Sequence, residues 1–186
     1  SLNAGVAAGT TTVSGAVSAL GDGTGAALTV DNAAVGLVDF QGTFGANSGL
    51  SAGAATSVKF TQDVTLADGD TATSLAGAVT LDGLNWSGYD GLTIGALTLS
   101  TGAVDINSQG GNIEFASITG GNQDLILDSG AAGSVTVTGA VSGVTTLDIT
   151  NSNGVTFNEN VSVITLDISD TEDGQTVQLD GSATLT

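Results

Sequence analysis

The 186-residue chain carries 19 acidic residues, a single lysine and no histidine or arginine, which gives it a formal net charge of −18. A charge of this sign excludes nucleic-acid binding through phosphate neutralisation, which requires Lys and Arg side chains. It also opposes docking on an anionic membrane surface. Because the chain lacks histidine and cysteine, Ser-His-Asp and Cys-His catalytic sites are excluded as well.

The residue composition indicates a folded all-β protein. Charged residues make up 11 % of the chain and hydrophobic residues 40 %, which is typical of a folded domain and not of a disordered one. The 29 glycines fall between short runs of Val, Ile, Leu, Phe and Thr, as turn residues do between strands. No segment sustains a helical hydrophobic period, and none has the roughly 18 consecutive apolar residues of a membrane span.

A repeated pattern of short apolar runs follows residues 1–37, which are less regular and for which we expect one or two coils. The repeated units begin at Val38, Val58, Val79, Leu92, Ile113, Val135, Val155 and Val177. The spacings between successive starts are 20, 21, 13, 21, 22, 20 and 22. In most units a second apolar position follows after five or six residues, and a third apolar cluster follows after eleven or twelve.

Three short strands in a unit of about 21 residues are the signature of a parallel β-helix, or β-solenoid, with one coil per unit. Alternate residues of each strand then point into a narrow core and stack on the same position of the next coil, while outward residues vary. The sequence therefore predicts a single solenoid domain over residues 1–186, with regular coils over residues 38–186. A pair of small antiparallel sandwiches is the alternative fold, but its period would be roughly 90 residues.

The short unit that begins at Val79 interrupts the period and contains two aromatic residues, Trp86 and Tyr89, in the stretch LNWSGYDG. The unit indicates that a coil is cut short or that residues 58–91 form one enlarged turn. Two interpretations of the rings stay open: they fill the packing defect where coils change size, or they contact a glycan or another partner. The first interpretation is favoured.

Two acidic turns are candidate calcium sites. Asp68 and Asp70 flank a glycine in LADGDTAT, and Asp170, Glu172 and Asp173 fall within one turn of DISDTEDGQ. Ca²⁺ requires several carboxylate and carbonyl oxygens from a flexible loop. Neither turn has the EF-hand spacing, so solvated turns without a ligand are the favoured alternative, and we expect no required cofactor.

Residues that could support catalysis are scarce. A lyase on a β-helix usually needs a Lys or Arg base, and Lys59 is the only candidate, at an outward position where a solvated surface lysine is the simpler interpretation. Asp148 and Asp167 are expected to stack on adjacent coils, as a pair of carboxylates for glycoside hydrolysis would require. On an acidic rod they are more simply solvated surface, so we predict that the protein is not an enzyme.

Outward threonines raise ice binding as a further alternative, because ice-binding β-solenoids present flat arrays of Thr-x-Thr. Thr136 and Thr138 have this form. The matching positions of the neighbouring coils hold Glu114 with Ala116 and Thr156 with Asn158. The array is not maintained, so ice binding is the least favoured function.

The final segment, VQLDGSATLT, begins a new coil and stops before the coil is complete, without a cap. We expect the N-terminal segment of a second copy to complete this coil in a head-to-tail contact, which would produce a filament. The alternative is that the chain is a fragment whose flanking coils are missing. The residues predicted for the self-association are Val177, Leu179 and Leu185 at one end and Leu2, Val6 and Val13 at the other.

Tracts such as GAVSGVTTLDITNSNGVTFNENVSVITLDIS resemble the Gly-, Thr- and Val-rich β-strand repeats of giant bacterial surface proteins. These include filamentous-haemagglutinin-like adhesins, autotransporter passengers and some surface-layer or biofilm-matrix proteins. The resemblance lies in style and periodicity from about Val38 onward, and it implies secretion and a structural or adhesive role without catalytic residues. We therefore expect an extracellular, self-associating structural protein. The alternative from another class is a carbohydrate-binding or carbohydrate-processing β-helix protein.

Overall fold

A computed structural model describes residues 9–22, 24–30, 36–69 and 71–186, and these residues form strands and turns without any helix. The strands are β1 Gly9–Val13, β2 Val17–Leu20, β3 Leu28–Val30, β4 Gly36–Phe40, β5 Phe44–Ala46, β6 Leu50–Ala52, β7 Thr56–Phe60, β8 Val64–Leu66, β9 Thr73–Leu75, β10 Val79–Leu81, β11 Asn85–Ser87, β12 Leu92–Leu99, β13 Val104–Asn107, β14 Ile113–Asp128, β15 Val135–Val137, β16 Val141–Asn151, β17 Val155–Phe157, β18 Val161–Ile168, β19 Val177–Leu179 and β20 Ala183–Leu185. All of their pairings are parallel. The predicted all-β parallel solenoid is confirmed. In the part of the chain that is described, no helix is present that could cross a membrane.

The strands stack in three columns, which form three faces of the solenoid. The first face consists of β1, β4, β7, β10, the end of β12, the middle of β14, the starts of β16 and β18, and β20. The second face consists of β2, β5, β8, β11, β13 and the ends of β14, β16 and β18. The third face consists of β3, β6, β9, the starts of β12 and β14, β15, β17 and β19. Each turn of the chain crosses all three faces in this order.

The register reproduces the repeat predicted for the second half of the chain. On the third face Val135 pairs with Val155, and Val155 pairs with Val177, so each turn here matches one predicted unit. The first described turn is longer than these turns, because Gly9 on β1 has Gly36 on β4 as its partner.

The predicted short unit between Val79 and Leu92 does not exist. Val79 lies on the first face and pairs with Leu97 on the following turn. Leu92 lies on the third face, where its partner on the preceding turn is Thr73. Val79 and Leu92 are therefore not equivalent positions of two successive turns, because they lie on different faces. The turns in this region are only slightly shorter than the rest. The prediction of a shortened coil or of an enlarged turn over residues 58–91 is wrong.

The core is a continuous stack of inward side chains. Along β12 buried and exposed residues alternate except at the corner near Gly95, as the two-residue period of a strand requires. An aromatic cluster occupies the first half of the core, where Phe40 and Phe60 stack with ring centroids 5.1 Å apart and Phe44 meets both rings edge to face. Each fully buried Val, Leu, Ile or Phe stabilises the fold by about 1.5–3 kcal/mol.

The corners depend on small residues and on acidic or amide side chains. Gly77 lies between the third and first faces, and a Cβ at this position would collide with the carbonyl oxygen of Thr56 on the preceding turn. Between the first and second faces, Asp63 Oδ1 accepts a hydrogen bond from the N–H of Asn85 at 2.9 Å. Such carboxylates connect successive turns, so part of the acidity of the chain is structural.

Candidate functional site

Charge is divided unequally among the three faces. On the first face the described strands contain two charged residues, Asp39 and Lys59, which have opposite signs and are register partners. On the third face they contain Glu114 alone. Four consecutive strands of the second face, β13, β14, β16 and β18, carry Asp105, Asp128, Asp148 and Asp167. The second face is therefore strongly acidic, while the other two are nearly neutral.

The carboxylates of the second face repel one another. Asp148 and Asp167 are register partners, as their predicted stacking required. Burial raises the pKa of Asp105, and the negative charges of Asp128 and Asp148 raise it further. Burial and then the charge of Asp167 raise the pKa of Asp148. This arrangement attracts protons and cations and repels anionic ligands.

Lys59 points outward and is partly exposed, as the sequence predicted, and it also forms an ion pair. Its Nζ lies 3.3 Å from Oδ2 of Asp82 on the following turn, and its side chain is 29 % exposed. Asp82 also accepts hydrogen bonds from the hydroxyl and the N–H of Thr101. The Thr101 hydroxyl, followed by Lys59, holds the pKa of Asp82 below its usual range. Lys59 thus helps to connect two turns.

Trp86 lies inside the core, so the interpretation of this ring as a glycan or partner contact is wrong. Its side chain is 2 % exposed, and its register partners on the second face are Val64 and Ile106. The indole meets the ring of Phe60 edge to face, with centroids 5.3 Å apart. Because the turns here are only slightly shorter than the rest, Trp86 is a regular member of the stack and not a plug for a defect.

Tyr89 remains a predicted contact residue. It is 36 % exposed and follows β11 at the corner between the second and third faces. It lines a shallow hollow with Asn47, Thr65, Ala67 and Gln109. The Gln109 amide donates a hydrogen bond to Ser87 Oγ at 3.0 Å, which holds one wall of the hollow in place. The hollow therefore offers one aromatic ring beside amide and hydroxyl groups.

Of the predicted calcium ligands, Asp68, Asp170, Glu172 and Asp173 lie at corners between the second and third faces. Asp68 lines a shallow hollow together with Asp90, whereas Asp70 lies outside the described residues. In the other turn the carbonyl of Asp170 accepts the N–H of Ser152, and the N–H of Glu172 donates to the carbonyl of Ser152. Among the residues that the structure describes, no three His, Cys, Asp or Glu side chains form a group that could hold a metal ion. Calcium binding stays a prediction, to be tested in solution.

The last turn presents apolar side chains to solvent. Val177, Leu179 and Leu185 are 43, 41 and 64 % exposed. Their register partners one turn earlier, Val155, Phe157 and Val163, are buried. These three residues occupy inward positions of the core stack, and within the described residues no further strand covers them. They form an open end of the core.

At the opposite end of the described stack lie β1, β2 and β3. Of the residues predicted to meet the open end, Val13 lies on β1 and is partly buried against the core. Leu2 and Val6 lie outside the described residues. The first turn therefore presents partly buried apolar residues at the end opposite to Val177 and Leu185.

Sequence reasoning missed a column of buried serines. Ser108, Ser129 and Ser152 stack on successive turns at the corner that follows the second face. Ser129 Oγ donates to the carbonyl of Gly133 at 2.9 Å, so the hydroxyl satisfies the backbone of the tight corner. A signal was present, because each serine follows an Asn or Asp at the end of a strand and recurs once in every turn of this region.

Comparison of the chain with known proteins found no matching family model, no matching curated protein and no matching solved structure.

Proposed function

We propose that the protein is a non-enzymatic, extracellular structural protein whose solenoids associate end to end into a cell-surface fibre, biofilm matrix or surface layer with an adhesive role. The exposure of Val177, Leu179 and Leu185 at inward positions of the last described turn, the open end of the core, carries this proposal. These side chains continue a stack whose members one turn earlier are buried. The extracellular location rests on the resemblance to bacterial surface-protein repeats.

The two ends of a parallel solenoid differ and are complementary. Among the described residues, the last turn has one edge of a parallel ladder unpaired and the first turn has the other, so stacking one copy on the next would continue both the hydrogen bonds and the apolar columns. A contact between two different surfaces of identical subunits does not have to close. It therefore generates an open filament.

Salt should strengthen this association. Each copy carries a net charge of −18, so copies repel one another at long range. The contact itself is apolar and contains backbone hydrogen bonds, which salt affects little. Raising the ionic strength from about 10 mM to about 150 mM shortens the Debye length from about 30 Å to about 8 Å and removes most of the repulsion.

The test is a pair of variants that add one negative charge to the same strand. Leu179→Asp places a carboxylate in the open end, while Gln178→Asp places it on the outer surface of the third face. We expect the unmodified chain and Gln178→Asp to form filaments at about 150 mM salt, as measured by sedimentation and electron microscopy. Leu179→Asp should remain monomeric. An unmodified chain that stays monomeric at millimolar concentration, or two variants that behave alike, would refute the proposal.

A carbohydrate-binding function is the second candidate, and it now depends on Tyr89 alone, because Trp86 is buried. An aromatic ring next to amide and hydroxyl groups suits a neutral sugar. A glycan array with the unmodified chain and with Tyr89→Ala tests it. Specific binding that disappears in Tyr89→Ala would favour this function.

A further inference from the structure

A ladder of hydroxyl groups runs along the first face. Six register partners on consecutive strands form it: Thr80, Thr98, Thr119, Ser142, Ser162 and Thr184. Within the described residues, none of these side chains has a hydrogen-bond partner. The next outward column contains Ala96 and Ser117, which are also register partners, so the side chains on this side of Thr98 and Thr119 are small.

The strand residues of this part of the first face are uncharged, while Asp82, the ion-pair partner of Lys59, directly follows β10 at the corner with the second face. The charged residues of the face, Asp39 and Lys59, lie on the preceding strands β4 and β7. A chain with a net charge of −18 thus keeps six consecutive strands of one face free of charge. Two copies that approach through their second faces would bring eight carboxylates together, whereas two first faces meet without such repulsion.

We infer that this hydroxyl ladder is a lateral interface that binds the same ladder of a second copy. A hydroxyl group both donates and accepts hydrogen bonds, so a Ser/Thr ladder is complementary to itself. Two identical ladders also have the same spacing, about 4.8 Å per strand, so every rung meets a partner. The two faces pack across a two-fold axis, with the solenoid axes antiparallel.

The charged residues determine how the two faces align. When only the uncharged strands overlap, Thr119 of each copy faces Ser142 of the other, and Thr80 faces Thr184. In an isolated pair of subunits, Asp39 and Lys59 then lie outside the contact. Six strands spaced by about 4.8 Å, each contributing three or four residues of about 3.3 Å, cover roughly 290–380 Å² per copy. This is less than the approximately 800 Å² per partner of a stable complex, so a single pair of subunits associates weakly.

The strength of the interface rests on the proposed end-to-end assembly. A filament repeats the ladder in every subunit, and many weak contacts between two filaments act together. Lateral pairing through the first face would join filaments side by side into bundles. End-to-end growth determines the length of the assembly, and the hydroxyl ladder determines its width.

Two double variants test the interface on filaments. Thr98→Asp with Thr119→Asp adds two charges to adjacent rungs of the first face, and Thr136→Asp with Thr156→Asp adds two charges to adjacent rungs of the third face. Like charges across an interface are unfavourable, so the first pair should lower the lateral association more than about tenfold. Electron microscopy should show single filaments for the first pair and bundles for the control and the unmodified chain. Bundles in both variants, single filaments in both, or unmodified filaments that never pair would overturn the inference.

A second measurement does not require filaments, so it separates failure of the ladder from failure of end-to-end assembly. The chain has no cysteine, so Thr119→Cys and the control Thr136→Cys each introduce a single thiol. A thiol-reactive cross-linker about 10 Å long, the distance between packed sheets, should join Thr119→Cys into dimers about tenfold faster than the control. Equal rates would overturn the inference even if filaments form. If Thr119→Cys does not cross-link faster than the control and the unmodified protein shows thermal hysteresis, the first face binds ice instead.

Discussion

Replacing Trp86 with alanine removes the largest fully buried side chain of the core. The indole is 2 % exposed and packs edge to face on Phe60, between Val64 and Ile106 of the neighbouring turns. A Trp→Ala change at such a position costs about 3–5 kcal/mol, because apolar burial is lost and a cavity remains. With a urea dependence of about 2 kcal/mol per molar, the unfolding midpoint should fall by roughly 2 M.

The assay is urea unfolding followed by far-ultraviolet circular dichroism, since the variant lacks the only tryptophan. Tyr89→Ala is the matched control, because this ring is exposed and its removal should cost less than about 1 kcal/mol. Trp86→Phe should lie between the two, because it retains a ring in the stack. If Trp86→Ala unfolds at the same urea concentration as Tyr89→Ala, the placement of Trp86 in the core is wrong.

Three further predictions follow from contacts already described. Asp148→Asn should stabilise the protein by about 0.2–1 kcal/mol at pH 7, because it removes a like-charge pair with Asp167 on the neighbouring strand. The folded-state pKa of Asp148 is raised, so acidification through that pKa protonates the Asp148 carboxylate of the unmodified chain and should abolish the stability difference between the two proteins. A stability gain that grows on acidification would contradict this reasoning. Gly77→Ala should destabilise the protein by roughly 1–3 kcal/mol through its collision with the preceding turn, whereas Gly15→Ala, where a Cβ meets nothing, should be neutral in thermal unfolding. If the acidic turns bind calcium, millimolar Ca²⁺ should raise the melting temperature above that in Na⁺ of equal ionic strength, and equal melting temperatures would leave them as solvated turns.

The repeat itself was predictable from the sequence, because burial of alternate residues in stacked strands leaves a periodic hydrophobic pattern. Aligning Val135, Val155 and Val177 gave the register of the third face. The same alignment placed Asp148 beside Asp167. Residues that pair within one face at a regular spacing therefore reveal their partners without a structure.

The repeat pattern does not show to which of the three faces a strand belongs. All three faces use the same apolar-x-apolar pattern, so nothing in the letters around Val79 and Leu92 shows that they belong to different columns. The burial of Trp86 was hidden for the same reason, since its neighbours are polar and its inward direction depends on the register. The ion pair between Lys59 and Asp82 joins two turns, and it becomes visible only when β7 and β10 are aligned.

Each strand of the solenoid pairs only with strands of the same face on adjacent turns. The number of turns can therefore change while the fold of each turn stays the same. Deleting residues 135–154 would place Val155 directly after Ser134, opposite Ile113, in the position that Val135 now occupies. The shortened chain would keep every type of corner and every core column, and its solenoid would lose about 4.8 Å. Duplication of one turn would lengthen it by the same step, so gene rearrangement can adjust the reach of such a protein without a new fold.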